Sequence, residues 1–154
     1  MAIADVMQPA VLFGHAGTLA MIGWLSLIAG IALRRPWLRD RVAGLGVPVA
    51  LSLVYTAIIA GHWVGSEGGF DSLDQVAALF RSDWLLLAGW VHYLAYDLFI
   101  GAWIARDADR RGLPRLLLVP VLPLAFLFGP GGLVLWMLIR LSAPQWHGNV
   151  AARS

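Results

Sequence analysis

The stretch WLLLAGWVHYLAYDLFIGAWIA, residues 84–105, decides the class of the fold. It is long enough to cross a hydrocarbon core about 30 Å thick as one helix, and it carries a single aspartate in its interior. On a helix, Tyr93, Asp97 and Gly101 follow one another at i, i+4 and i+8, while His92, Tyr96 and Trp103 form a neighbouring stripe. An aspartate at the centre of a membrane helix costs roughly 2.5–3.5 kcal/mol on insertion scales unless it is paired or protonated, so Asp97 must face protein or water.

Outward from this stretch, three others meet the same length requirement, giving spans at about 11–33, 45–63, 84–105 and 116–141. The composition agrees, since 60% of the 154 residues are hydrophobic and 13% are charged, with a mean hydropathy of +0.75. A soluble domain carries about 25% charged residues, so the expectation is an all-α integral membrane protein in one four-helix domain over residues 1–154. The first apolar run is too long for a signal peptide and has no positive charge before it. The net charge of +2 comes from arginine alone, and the chain has no cysteine, which excludes disulfides and thiolate metal sites.

Arginine placement sets the expected orientation. Arg34, Arg35, Arg39 and Arg41 follow the first span, and Arg106, Arg110, Arg111 and Arg115 follow the third, so both loops are expected on the cytoplasmic side. Four spans then put both chain ends on the opposite side, in a bacterial inner membrane. Trp37, Trp63, Trp84, Trp103 and Trp146 fall near span ends, as interfacial tryptophans do. The arginines form no nucleic-acid-binding face, and the expected surroundings are the lipid bilayer.

Between the second and third spans, Phe70, Leu73, Val76, Ala77 and Phe80 recur at helical spacing, and Ser72 with Gln75 fits a capping box. This predicts a short helix lying on the membrane surface, as a tether or as a lid over a lateral opening. In the fourth span, Pro120, Pro123 and Phe128-Gly129-Pro130-Gly131-Gly132 break the helical hydrogen bonding. Irregular backbone at membrane depth survives only when buried or lining a cavity. Helical rise places Asp97 about 12 Å and His92 about 20 Å from the cytoplasmic end. At the level of Asp97, the expected neighbours are Ser26, Ser52, Tyr55, Thr56 and Pro123, and at that of His92, Gly129. The face carrying Asp97 and His92 is thus expected to look across a small intramembrane pocket at the broken fourth helix. The competing reading is a polar clamp in which Asp97 bonds hydroxyls, the glycines permit close helix contact and nothing binds.

His15 and His62, expected near the outer side and within reach of Arg140, raise a metal or haem site with His92 as a third ligand. No short ligand spacing supports it, so no cofactor or metal is expected. Nucleophile elbows, phosphate loops and dinucleotide fingerprints are absent from the sequence.

The segments GGFDSLDQVAALF (68–80), GWVHYLAYDLFIGAWIARDA (89–108) and LPRLLLVPVLPLAFLFGPGGLVLWMLIR (113–140) resemble the abscisic-acid-deficient-four family, whose plant members are needed to make neoxanthin. The resemblance rests on W-x-H-Y-L-x-Y-D-L-F-x-G with a downstream L-F-G-P-x-G, separated by an arginine-rich turn. It implies a neoxanthin-synthase-related membrane protein connected with carotenoids, here of bacterial type. A redox-neutral isomerisation of an epoxide end group needs a proton donor and a proton acceptor. Asp97 as acid and His92 as base are the candidate catalytic residues. Tyr93, Tyr96, Gly101, Gly129, Pro130 and Gly131 would contact the carotenoid or other apolar isoprenoid. The alternative function is structural, as an assembly protein, and a homo-oligomer or assembly partner fits either.

Overall fold

The computed structural model describes residues 8–142, and these form helices with no strand among them. The first helix, α1 (Pro9–Ala32), starts with proline at its first turn, where the missing N–H costs no helical bond. A π-helical stretch (Leu38–Gly46) then runs directly into α2 (Val47–His62), so the second apolar helix begins earlier than hydropathy alone suggests and takes in Arg39, Asp40 and Arg41. The short α3 (Leu73–Leu79) lies in the following connection, and α4 (Asp83–Arg110) is the central element, packed against α1, α2 and both later helices. A single 3-10 turn (Arg115–Leu117) leads into α5 (Leu118–Leu127), and α6 (Gly129–Ser142) closes the described chain. Three helices are long and apolar enough to cross a membrane: Pro9–Ala32, Leu38–His62 and Asp83–Arg110.

The helices meet through small residues. A Cβ on Gly23 would run into Leu98 and Val47, and one on Gly101 would lie 2.6 Å from the Trp24 ring. Leu27, Leu51, Val91, Leu98 and Ile104 are fully buried in the seam so formed. At the arginine-rich end, Arg39 grips both Asp40 oxygens at 2.7 and 3.0 Å and reaches Asp109 at 2.9 Å, tying the second long helix to α4.

The stretch expected as a fourth span is not one helix. Phe128 leaves the helical region (φ −144°, ψ 60°), and Pro130 has no N–H to continue the ladder. At about 1.5 Å per residue, the ten residues of α5 and fourteen of α6 reach roughly 15 and 21 Å, short of a hydrocarbon core. The two helices fold back on each other. Gly132 packs directly on the Ala125 backbone, where a Cβ would sit 2.5 Å from Ala125 Cα. Along α4, the end of α5 meets Tyr93, the start of α6 meets Asp97, and Trp136 and Arg140 meet Asp107. Residues 118–142 therefore form a helical hairpin that rises beside α4 from its arginine-rich end, turns at mid-depth and returns. Pro9 and Ser142 consequently lie at opposite ends of the bundle, since Phe13 stacks near Trp90 early in α4 while Arg140 faces Asp107 late in it. Trp146 and His147 lie outside the described residues.

A short helix is present where one was expected, as α3. The Ser72 hydroxyl accepts the Gln75 N–H at 3.2 Å, Leu79 is buried, and Phe70 and Leu73 remain exposed. Gly68 at φ +110° turns the chain into this cap, with its Cα side pressed against the Gln75 carbonyl and Leu79.

Candidate functional site

The site is built where the hairpin tip meets α4. Breaking the helix at Phe128 to Pro130 orphans two carbonyls: Phe126 C=O would have accepted from residue 130, which is proline, and Leu127 C=O from Gly131, whose N–H instead donates to Phe128 C=O at 2.6 Å. The Tyr93 hydroxyl donates to both, at 3.3 Å to Phe126 and 2.8 Å to Leu127. One turn further along α4, Asp97 lies against Gly129, whose N–H donates to its carboxyl group. The approach is so close that any Cβ at residue 129 would overlap Asp97, which explains glycine at that position.

Asp97 is 5% exposed, and its Oδ2 has no hydrogen-bond partner. The Tyr93 side chain lies beside it, but the single phenolic proton is directed at the hairpin carbonyls. The carboxyl also sits at the N-terminus of the fourteen-residue α6, where unpaired N–H groups concentrate positive potential. What results is a buried carboxyl with one oxygen held and the other free, next to a hydroxyl. Such a pair can hold or pass on one proton.

Of the residues singled out from sequence, Asp97, Tyr93 and Gly129 come together. Gly131 and Pro130 belong to the tip itself, with Pro130 exposed. Gly101 sits one turn below and seats Trp24, which packs edge-on to Phe126 at 5.3 Å. His92 and Tyr96 face elsewhere. Five residues along a helix is about 140° of rotation, and it carries His92 to an exposed face, where its ring stacks on Tyr96 at 4.6 Å and meets Tyr55 at 5.5 Å. Gly129 accordingly meets Asp97 and not His92, which the rotation carries to another face of α4. Arg140 is at the opposite end from His62, which stacks on Trp84 at 4.3 Å, and His15 is exposed. No cluster of three or more His, Asp or Glu side chains suited to a metal occurs among the described residues.

Sequence reasoning missed Trp24 and the two tip carbonyls. Trp24 had a signal: it falls in the middle of α1, away from the interfacial belts where membrane tryptophans gather, and it is buried. The carbonyls had none, because which backbone groups a break orphans depends on where the chain goes next.

The halves of α1 and α4 away from the arginine-rich end leave an open apolar groove of about 530 Å³ lined by Pro9, Ala10, Phe13, Asp83, Leu86, Leu87 and Trp90. Trp90, which lines it, lies 5.3 Å from the Tyr93 ring. The groove exists because the hairpin fills only the other half of this flank.

A family model described as ABA4-like, ABA DEFICIENT 4-like, matches residues 11–136, which is most of the chain. Neither the curated proteins nor the solved structures contain a match.

Proposed function

The chain belongs to the ABA4-like family of membrane proteins, and from that premise we propose that it binds a carotenoid or related apolar isoprenoid in the groove between α1 and α4 and isomerises its end group. The observation that carries the reading is the buried Asp97 carboxyl with an unpartnered oxygen, one helical turn along α4 from Tyr93, whose ring lies 5.3 Å from Trp90 of that groove. Intramembrane carboxyls without a partner are costly, and a proton-handling role is what retains them. An apolar polyene lies along Phe13, Leu86 and Trp90 with its end group toward Tyr93.

For an epoxide end group the chemistry closes without redox change. The Tyr93 hydroxyl delivers a proton to the epoxide oxygen as the C–O bond breaks and is refilled from Asp97. The pair then takes a proton from the neighbouring chain carbon, leaving an alcohol and a new double bond. His92, on the other side of α4, has no part in this cycle.

The test is conversion and retention of pigment by protein purified gently from its membrane. Asp97→Asn and Tyr93→Phe variants that remain folded should keep bound pigment but lose conversion, and full conversion by both would remove the proposal. The tight seating of Gly129 on Asp97 favours a second reading, a structural clamp. On that reading Tyr93→Phe and Asp97→Leu change stability or partner capture, and Asp97→Asn leaves both stability and pigment chemistry untouched.

A further inference from the structure

The arginine-rich end carries a second site, unrelated to Asp97. Helix α1 ends in a Schellman-type turn, with the Arg35 N–H donating to Gly30 C=O at 2.9 Å. The left-handed position of that turn, normally glycine, is Arg34 at φ +54°. A non-glycine residue there gives up conformational energy that the sequence could have avoided. The companion carbonyl of the turn, Ile31 C=O, is taken by the Arg115 guanidinium at 2.9 Å. Arg34 and Arg115 thereby converge on one cavity of about 80 Å³, shared with Gly30, Pro36, Arg39, Asp109 and Leu118. Arg39 is already committed to Asp40 and Asp109, whereas Arg34 and Arg115 make no ion pair among the described residues. Arg115 uses one of its five N–H donors on Ile31, which leaves a fork free.

This cavity does not stand alone. Ile31, Arg115 and Leu118 also line an apolar groove of about 460 Å³ between α1 and α5, which continues along Ile28, Val119, Leu122 and Pro123 into the membrane-spanning zone. A cationic pocket of phosphate size that opens onto an apolar channel matches a molecule with an anionic head and an acyl tail. We propose that this is a binding site for an anionic phospholipid of the arginine-facing leaflet, its phosphate between Arg34 and Arg115 and one acyl chain along the α1–α5 groove. Guanidinium forks suit phosphate oxygens, and the positive-inside rule puts this end at the leaflet where anionic lipids are held. The lipid would also fasten the start of the hairpin to α1.

Native mass spectrometry of the full chain in neutral detergent tests the site, with dioleoyl phosphatidylglycerol, dioleoyl phosphatidylcholine or inorganic phosphate added. One phosphatidylglycerol should be retained per chain, about tenfold more tightly than phosphatidylcholine. Arg34→Gly should weaken that binding roughly fivefold while leaving thermal stability undiminished, because glycine is at ease at positive φ. Arg115→Gln should weaken it similarly. Val119→Trp, which fills the groove from an exposed position, should reduce lipid binding and leave phosphate binding unchanged. Equal retention of the two lipids, or undiminished phosphatidylglycerol binding in Arg34→Gly, would overturn the site. Inorganic phosphate bound as tightly as the lipid would overturn the lipid assignment.

Discussion

Replacing Gly132 by alanine separates a returning hairpin from a fourth crossing by the sign of its effect. In the hairpin, the added methyl would sit 2.5 Å from Ala125 Cα, Cβ and N, against about 3.5–4.0 Å for relaxed carbon contacts. The obstacle is backbone, so relief requires α5 and α6 to move apart by about 1 Å or more, which belongs at the upper end of the roughly 1–3 kcal/mol seen for overpacking. Alanine regains about 1 kcal/mol of helix propensity over glycine. The net expectation is a loss of about 2 kcal/mol, or roughly 4–8 °C in Tm for a chain of this length, read by tryptophan fluorescence on heating in detergent. If residues 116–141 formed one continuous helix, Ala125 and Gly132 would be stacked two turns apart along it, the clash would vanish and the same substitution would raise Tm. An unchanged or raised Tm would refute the packing. The absence of cysteine allows an independent check with an impermeant maleimide on single-cysteine variants. Ser142→Cys should label from the same side as Arg110→Cys, and labelling from the side of Ser66→Cys would refute the return of the hairpin.

Other contacts give smaller, separable effects. Tyr93→Phe removes the donor to Phe126 and Leu127 C=O and should cost about 1–3 kcal/mol, with faster amide exchange confined to the hairpin tip. At the other end, Asp107→Ala strands the indole N–H of the buried Trp136, held at 3.1 Å, and should cost about 1–3 kcal/mol by thermal unfolding. Arg140→Ala, which loosens only a partly exposed 3.8 Å contact to the same carboxylate, should cost under about 1 kcal/mol. Ser72→Ala removes the cap of α3 and should cost about 1 kcal/mol locally, seen as exchange over residues 73–79 with little change in global Tm.

Much of the architecture was legible because it depends on local pattern. Three helices follow from apolar length, the capped α3 from Ser72 and Gln75, and the turning of the Asp97 face toward the fourth apolar stretch from its proline and glycine breaks, although helical rise set Pro123 and not Gly129 at the level of Asp97. The return of the hairpin was not legible. Hydropathy counts apolar residues, and residues 116–141 contain enough to cross; the same Phe-Gly-Pro-Gly-Gly run serves a kink or a reversal. What decides between them is long-range: Gly132 against Ala125, and Trp136 and Arg140 against Asp107. One clue was present, since Arg140 at the end of a fourth crossing would stand apart from both arginine clusters, whereas after a reversal it joins them. His92 misled for a related reason. Two polar residues on one helix suggest one site, but 140° of rotation separates it from Asp97.

The reversal also makes Asp97→Asn the substitution in which stability and chemistry part company. Asparagine keeps the size and one acceptor oxygen for the Gly129 N–H, so the tip remains seated. Its amide places a donor where Oδ2 had no partner. Against this stands the loss of a favourable charge at the N-terminus of α6, worth about 0.3–1 kcal/mol and up to about 2 when partly buried. Relief of the desolvation cost of the buried carboxyl acts in the opposite direction and is of similar size. Stability should therefore change by no more than about 1 kcal/mol, measured by thermal unfolding, whereas Asp97→Leu, which removes the acceptor from Gly129, should cost about 1–3 kcal/mol. A clamp asks nothing of Asp97 that asparagine cannot supply, and a proton carrier asks for the one property asparagine lacks. An Asp97→Asn protein with native stability and full pigment conversion would assign Asp97 to the clamp; native stability with conversion abolished would assign it to proton transfer.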